Sequence, residues 1–351
     1  MNTDLLFLLY AIHSPSGSEK KMRNFVKNYA KRCGAVVEQD AHGNLFVTKG
    51  ASDTYPCLAS HLDQVQRTHA KDFTCLCSQG VVFGYSPNKH EQQGLGADDK
   101  NGIWVCLECL RKYDALKCAF FVGEETGCVG SSQCDLGFFE DCRFIVQPDR
   151  RGNCDLITDM FCGDVCSDEF VKAIRAEEFG YKRETGSITD VGELVQRGVG
   201  ISCLNVSCGY YEAHTDQEFT VLSELENCLH FVESIIEGCT DVYPFTYEGR
   251  SYGGYGGYGS WNRWDGRDYD RWRKDGEDDE GNEDELEADY HIESLFLDGV
   301  FCDYKSFVSA IKNHIKPEYD GVKDEHYAHL WNELYVYETD QIDWSDPKDF
   351  K

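Results

Sequence analysis

Residues 94–127 read GLGADDKNGIWVCLECLRKYDALKCAFFVGEETG, and the change of period inside this stretch decides the fold. Asn101–Lys112 carries apolar residues at three- and four-residue spacing, which predicts a helix. Ala119–Gly123 is a short apolar run that predicts a strand, and it stops at Glu124 and Glu125. The same alternation continues in both directions. Strands are expected at Ala35–Glu38, Leu45–Thr48, Cys57–Ser60, Phe144–Gln147 and Ile201–Val206. Helices are expected at Asp4–Ile12, Ser18–Arg32, Asp168–Glu177, Ile188–Gln196 and Leu222–Ile236. Pro56 is expected just ahead of its strand, where a missing N–H is tolerated. Such alternation implies an α/β fold, a three-layer αβα sandwich on a mixed, largely parallel sheet. In sheets of that kind the ligand crevice lies beyond the carboxyl ends of the strands. Chemistry is therefore expected just after strands.

Five short signals fall there. Ser60-His61-Leu62-Asp63 closes one strand, and a neutral imidazole is a good zinc ligand when a nearby carboxylate fixes its tautomer. Asp98-Asp99 opens the helix already described, between glycines that allow close backbone approach. Helix-dipole and capping effects alone explain acids at that position, but a carboxylate also has two oxygens and can bridge two cations. Glu124-Glu125 ends the next strand, and neighbouring side chains point differently, so one can ligate while the other acts as a general base. Ile145-Val146-Gln147-Pro148-Asp149 is another strand running into an acid, and Glu212-Ala213-His214-Thr215-Asp216 follows the last strand. Taken singly, each has an ordinary explanation as a turn, a cap or a polar loop.

Taken in order, the five resemble the co-catalytic zinc exopeptidases: peptidase T, the glutamate-carboxypeptidase type and bacterial leucyl-aminopeptidase relatives. Gly96-Ala97-Asp98-Asp99-Lys100-Asn101-Gly102 is similar to the bridging-aspartate motif, and Gly123-Glu124-Glu125-Thr126-Gly127 to the catalytic pair. Ser14-Pro15-Ser16-Gly17-Ser18-Glu19 and Asp40-Ala41-His42-Gly43-Asn44-Leu45 resemble the family's N-terminal region and next hairpin. The resemblance covers about Leu5 to Cys239. It implies two divalent ions, zinc first, with cobalt or manganese able to use the same ligands. His61 and Asp149 would hold one ion and Glu125 and His214 the other, with Asp98 shared. Asp63 would orient His61, and Glu124 would be the general base. Asp99 follows the bridge, where the family often has a cis peptide. Tyr210 or Tyr211 is a candidate for stabilising the oxyanion. Many relatives insert a lid domain between the fourth and fifth signals, but Asp149 to His214 is too short for a typical one.

Three functions follow from this reading: an aminopeptidase or dipeptidase, an N-acyl-amino-acid deacylase or other amidohydrolase, and a non-catalytic binding protein on the same fold. The substrate is expected to be a peptide or acylated amino acid. The 351 residues carry a formal charge of −29, which argues against a nucleic-acid surface. No apolar run is long enough to span a membrane, and Met1–Tyr10 lacks the basic start of a signal peptide. The eighteen cysteines are then expected as free thiols in the cytoplasm. Cys106 and Cys109, despite their two-residue separation, are expected as helix core. Oligomeric state is left open. Residues 1–240 are read as the catalytic domain, 241–285 as a Tyr/Gly-rich and acidic linker, and 286–351 as a small helical appendage. Ten of the fifteen residues from Asp275 to Asp289 are acidic, so part of the charge belongs to that tract rather than to the fold.

Overall fold

The computed structural model describes residues 1–160, 163–249, 309 and 311–315. The acidic tract and almost all of the Tyr/Gly-rich linker and C-terminal appendage lie outside the described residues. Within the expected helical appendage, the described Ile311–Ile315 forms a π-helical turn. Helix α1 (Thr3–Ala11) belongs to a different compact unit from residues 12–249, which carry the fold described below.

Nine strands form the main sheet, in the order β1 (Val36–Gln39), β2 (Leu45–Lys49), β7 (Leu116–Phe121), β3 (Tyr55–His61), β8 (Cys142–Arg150), β12 (Cys203–Ser207), β9 (Asp155–Met160) and β10 (Gly163–Asp164), with β11 (Lys182–Gly186) beside β9. The four central strands, β7, β3, β8 and β12, run parallel. Their neighbours β2 and β9 are antiparallel to them, so the sheet is mixed. β3 and β7 are buried along their whole lengths, as strands covered on both faces must be. The alternating apolar runs of the sequence thus become an αβα sandwich, as expected.

Two corrections concern strands. Pro56 lies inside β3 rather than ahead of it, opposite Phe144, with a register shift between Tyr55 and Pro56. That irregularity is what lets a residue without an N–H sit in a central strand. A second, five-stranded sheet was not foreseen: β13 (Tyr210–Tyr211), β14 (Phe219–Val221), β5 (Val81–Ser86) and β4 (Thr74–Ser78), with β6 (Glu91–Gln93) against β5.

On one face of the main sheet, α3 (Ala97–Lys112) packs against β3, β8 and β7, with α2 (Lys20–Arg32) and α7 (Leu222–Gly238) against it. Residues 100–110 of α3 are buried on every side, Cys106 and Cys109 included, so those two cysteines are core. On the other face α6 (Asp190–Gln196) packs against β12, β3 and β8, with α4 (Val129–Gln133) beside it. Val191, Leu194 and Val195 of α6 meet Ile145, Ile157 and Cys203 of the sheet there. The described segment between Asp149 and His214 supplies β9 to β12 of the main sheet together with α5 (Asp168–Ala173) and α6. It therefore builds no separate lid.

Candidate metal centre

Four of the predicted site residues stand at or just after the ends of parallel strands of the main sheet, and His214 comes from a turn of the second sheet. His61 is the last residue of β3, Glu124 and Glu125 follow β7, Asp149 lies near the end of β8, and His214 lies in the turn between β13 and β14. Asp98 arrives from the other direction. Gly96 turns the chain at φ 64°, and Asp98 and Asp99 have non-helical backbone angles before α3 begins in earnest. The peptide between Asp98 and Asp99 is cis. Gly102, one turn into the helix, has no room for a Cβ: the Asp99 carboxylate and the Pro148 carbonyl oxygen occupy that space.

The side chains converge in two sets sharing one carboxylate. Asp98 Oδ1 is 3.1 Å from His61 Nε2, which is 3.4 Å from Asp149 Oδ1. Asp98 Oδ2 is 3.2 Å from His214 Nε2, which is 3.1 Å from Glu125 Oε2. Ligand atoms at roughly 2.0–2.1 Å from a tetrahedral zinc stand about 3.3 Å apart, so both sets have the spacing of a metal cage. The two differ in setting. His61 is fully buried, whereas the His214 side chain is 52% exposed and hangs from a left-handed residue at φ 66°.

Glu124 reaches toward the first set, with Oε2 3.9 Å from His61 Nε2 and Oε1 3.8 Å from Cys128 Sγ. Asp63 does more than the sequence suggested. His61 Nδ1 lies 3.0 Å from the Asp63 carbonyl oxygen and 3.4 Å from its Oδ1. The same carboxylate accepts the amide N–H of Glu124 at 3.0 Å, the amide of Glu125 at 3.3 Å and the Ser16 hydroxyl at 2.7 Å. One buried aspartate thus holds the strand end bearing His61 to the loop bearing both glutamates. Asn44, in the predicted hairpin, steadies that loop from beneath. It accepts the Val122 N–H at 3.0 Å and donates to the Gly130 carbonyl at 3.0 Å.

Several supporting residues were not anticipated. Glu218 is fully buried and accepts the N–H groups of Ala97 at 3.0 Å and Asp98 at 3.2 Å, tying the His214 loop to Asp98. Asp99 accepts the His61 N–H at 3.2 Å and the Gly102 N–H at 3.0 Å. Asp149 turns Oδ2 away from His61, toward Gln147 Nε2 at 2.9 Å and the Thr189 hydroxyl at 3.3 Å. Of the two candidate tyrosines, Tyr210 donates its hydroxyl to the Asp149 carbonyl at 3.4 Å, and Tyr211 donates to Glu224 at 2.7 Å.

The electrostatics are lopsided. Asp63, Asp98, Asp99, Asp149, Asp190 and Glu218 are all buried, beside the largely covered Glu124 and Glu125, with Lys100 the buried ammonium in the cluster. Burial pushes Glu124 well above the usual carboxylate range, assisted by Asp149, Asp190 and Glu125. Burial likewise raises Asp149 to about 8, and Lys100 is lowered to about 7 by the same cause. His61 is pulled down by burial but raised more strongly by Asp149, Asp63 and Asp98. His214 is raised to about 10 by its hydrogen bonds to Asp98 and Glu125. Uncompensated buried carboxylates cost several kcal/mol each unless cations or donors meet them. Glu125 Oε1 is buried with no hydrogen-bond partner. An orphaned acceptor in an acid-rich pocket is what divalent cations satisfy, so these residues fit a pair of ions.

The sequence matches no protein-family model, and no curated protein is similar to it in sequence. Solved structures do share its fold. The aminopeptidase PepT of Bacillus cereus superposes with a TM-score of 0.57 at 15% identity, over 67% of this chain and 97% of that one. A tripeptidase of Staphylococcus aureus gives 0.56 at 15% identity, over 67% and 96%. A TET aminopeptidase from a marine-sediment thaumarchaeote gives 0.51 at 14% identity, over 68% and 97%. The sandwich thus has the fold of these three peptidases, each covered almost end to end.

Proposed function

We propose that this chain is a two-metal exopeptidase, an aminopeptidase or dipeptidase, with residues 1–240 as its catalytic domain. One observation carries the reading. The Asp98 carboxylate turns one oxygen to His61, which also neighbours Asp149, and the other to His214, which also neighbours Glu125, the arrangement expected of a bridge between two ions. Two imidazoles with carboxylate oxygens suit zinc. Ions held there would polarise the scissile carbonyl and lower the pKa of a water.

The chain's own residues supply the rest. His61, Asp149 and Asp98 would hold one ion, and His214, Glu125 and Asp98 the other. Glu124, unengaged by any strong donor and within the same pocket, takes a proton from the attacking water and delivers it to the leaving amine. Its carboxylate is kept basic by burial among other acids. Asp63 fixes Glu124 by its backbone N–H, so the general base is set by the same residue that steadies His61. A cytoplasmic setting accords with sixteen free cysteines among the described residues. Among those residues no helix is long and apolar enough to cross a membrane.

A panel of aminoacyl and N-acyl substrates, assayed with and without added zinc, tests the assignment. Zinc-dependent release from free-amine substrates is expected. Turnover confined to acylated substrates would move the chain to the deacylases, and none on either class would leave a binding protein on this fold.

A further inference from the structure

Asp190 is fully buried at the start of α6 and has no part in either ligand set. Its carboxylate reaches two pieces of the centre. One oxygen accepts the Ser131 hydroxyl, in the helix that follows the Glu124–Cys128 loop. The other accepts Gln147 Nε2 at 3.3 Å. The same Gln147 nitrogen donates to Asp149 Oδ2 at 2.9 Å. Gln147 cannot rotate freely, because its Oε1 accepts the Val191 N–H at 3.0 Å and lies 3.0 Å from the Thr189 hydroxyl.

We infer that Asp190 is a positioning residue for the more buried of the two ion sites, acting on Asp149 through Gln147. The geometry is a relay of two hydrogens on one amide. With one hydrogen anchored on Asp190, the other is aimed at Asp149 Oδ2. That oxygen is thereby turned outward, and Oδ1 is left facing His61. Such outer partners restrict a ligand's rotation, and their loss typically weakens metal affinity about 10–100-fold. Its link to the loop of Glu125 runs through Ser131 and the Cys128 main chain, whereas the Gln147 amide touches the Asp149 carboxylate itself, so its effect falls chiefly on the site that contains Asp149. This inference rests on the two-metal reading above.

Zinc titration calorimetry on the full chain tests it with each site read alone. In a His214→Ala background the His61/Asp98/Asp149 site remains, and adding Asp190→Ala is expected to weaken binding about 10–100-fold. In a His61→Ala background the same addition should leave binding within about threefold of its parent. Asp190→Asn should restore most of the lost affinity. An amide can still accept from Gln147 and can donate to Ser131, whose hydroxyl has a second acceptor in the Cys128 carbonyl at 3.2 Å. If Asp190→Ala fails to fold, Gln147→Leu removes the relay at its centre and should show the same one-sided loss. Equal loss at both sites, or none at either, would overturn the role of Asp190 while leaving the metal centre standing. No zinc bound by the unaltered protein would remove the centre itself.

Discussion

Asp98 answers two demands with one side chain. Its oxygens face different imidazoles, while its backbone N–H is held by Glu218. Replacing it with Asn swaps one oxygen for a nitrogen that cannot ligate, so Asp98→Asn is expected to bind fewer than two zinc ions per chain, measured by metal analysis after gel filtration. Glu124 behaves oppositely. It lies outside both ligand sets, so Glu124→Gln should retain both ions yet lose at least about 10²-fold in kcat. Near-normal turnover in that variant would take Glu124 out of the mechanism. At this scale the sequence announced the chemistry-bearing residues, because His, Asp and Glu at strand ends are visible one by one. It did not announce Asp190 or Glu218. Each looks like an ordinary acid in a polar loop or a helix's first turn, and its meaning comes from contacts with Gln147 or Asp98, 43 and 120 residues away.

The elements that matter most are the four parallel strands and α3. The strands were legible because burial on both faces leaves near-continuous apolar runs such as Cys57-Leu58-Ala59 and Cys118-Ala119-Phe120-Phe121. The small second sheet was not, since Glu91–Gln93 and Thr74–Ser78 are short, polar or half-exposed and carry little periodic signal. β11 shows the same difficulty, with four of its five residues exposed. Helix α3 has a tight fit that a single methyl tests. A Cβ at position 102 would collide with the Asp99 carboxylate and the Pro148 carbonyl. Gly102→Ala is expected to cost about 1–3 kcal/mol of stability, read from urea unfolding, because neither backbone nor a pinned carboxylate yields easily. An unchanged midpoint would show that α3 is free to shift.

For the molecule as a whole, the concentration of buried acid sets a pH dependence. Glu218 is raised to about 8 by burial and by Asp98, and Asp190 to about 7 chiefly by burial. An acid whose folded value lies above its unfolded one, near 4, holds its proton more tightly when folded. Its stabilising contribution is complete below that unfolded value and is lost as pH rises through the folded one. His214, raised to about 10, has the same sign: its contribution is present below about 6.5 and fades toward pH 10. The metal-free protein should therefore melt at a lower temperature at pH 9 than at pH 6. Zinc should raise the melting temperature more at pH 8 than at pH 6, because ligands must be deprotonated to bind it. Thermal melts with chelator and with zinc check both signs, and a melting temperature that rises with pH in chelator would contradict them.

The central claim is that distant strand ends enclose two cations around one shared aspartate. Anomalous diffraction from crystals grown with zinc, recorded at the zinc edge, tests this most directly. Two peaks are expected, one among His61, Asp98 and Asp149 and the other among Asp98, Glu125 and His214. A single peak, or peaks elsewhere on the chain with these side chains engaged only with one another, would contradict it.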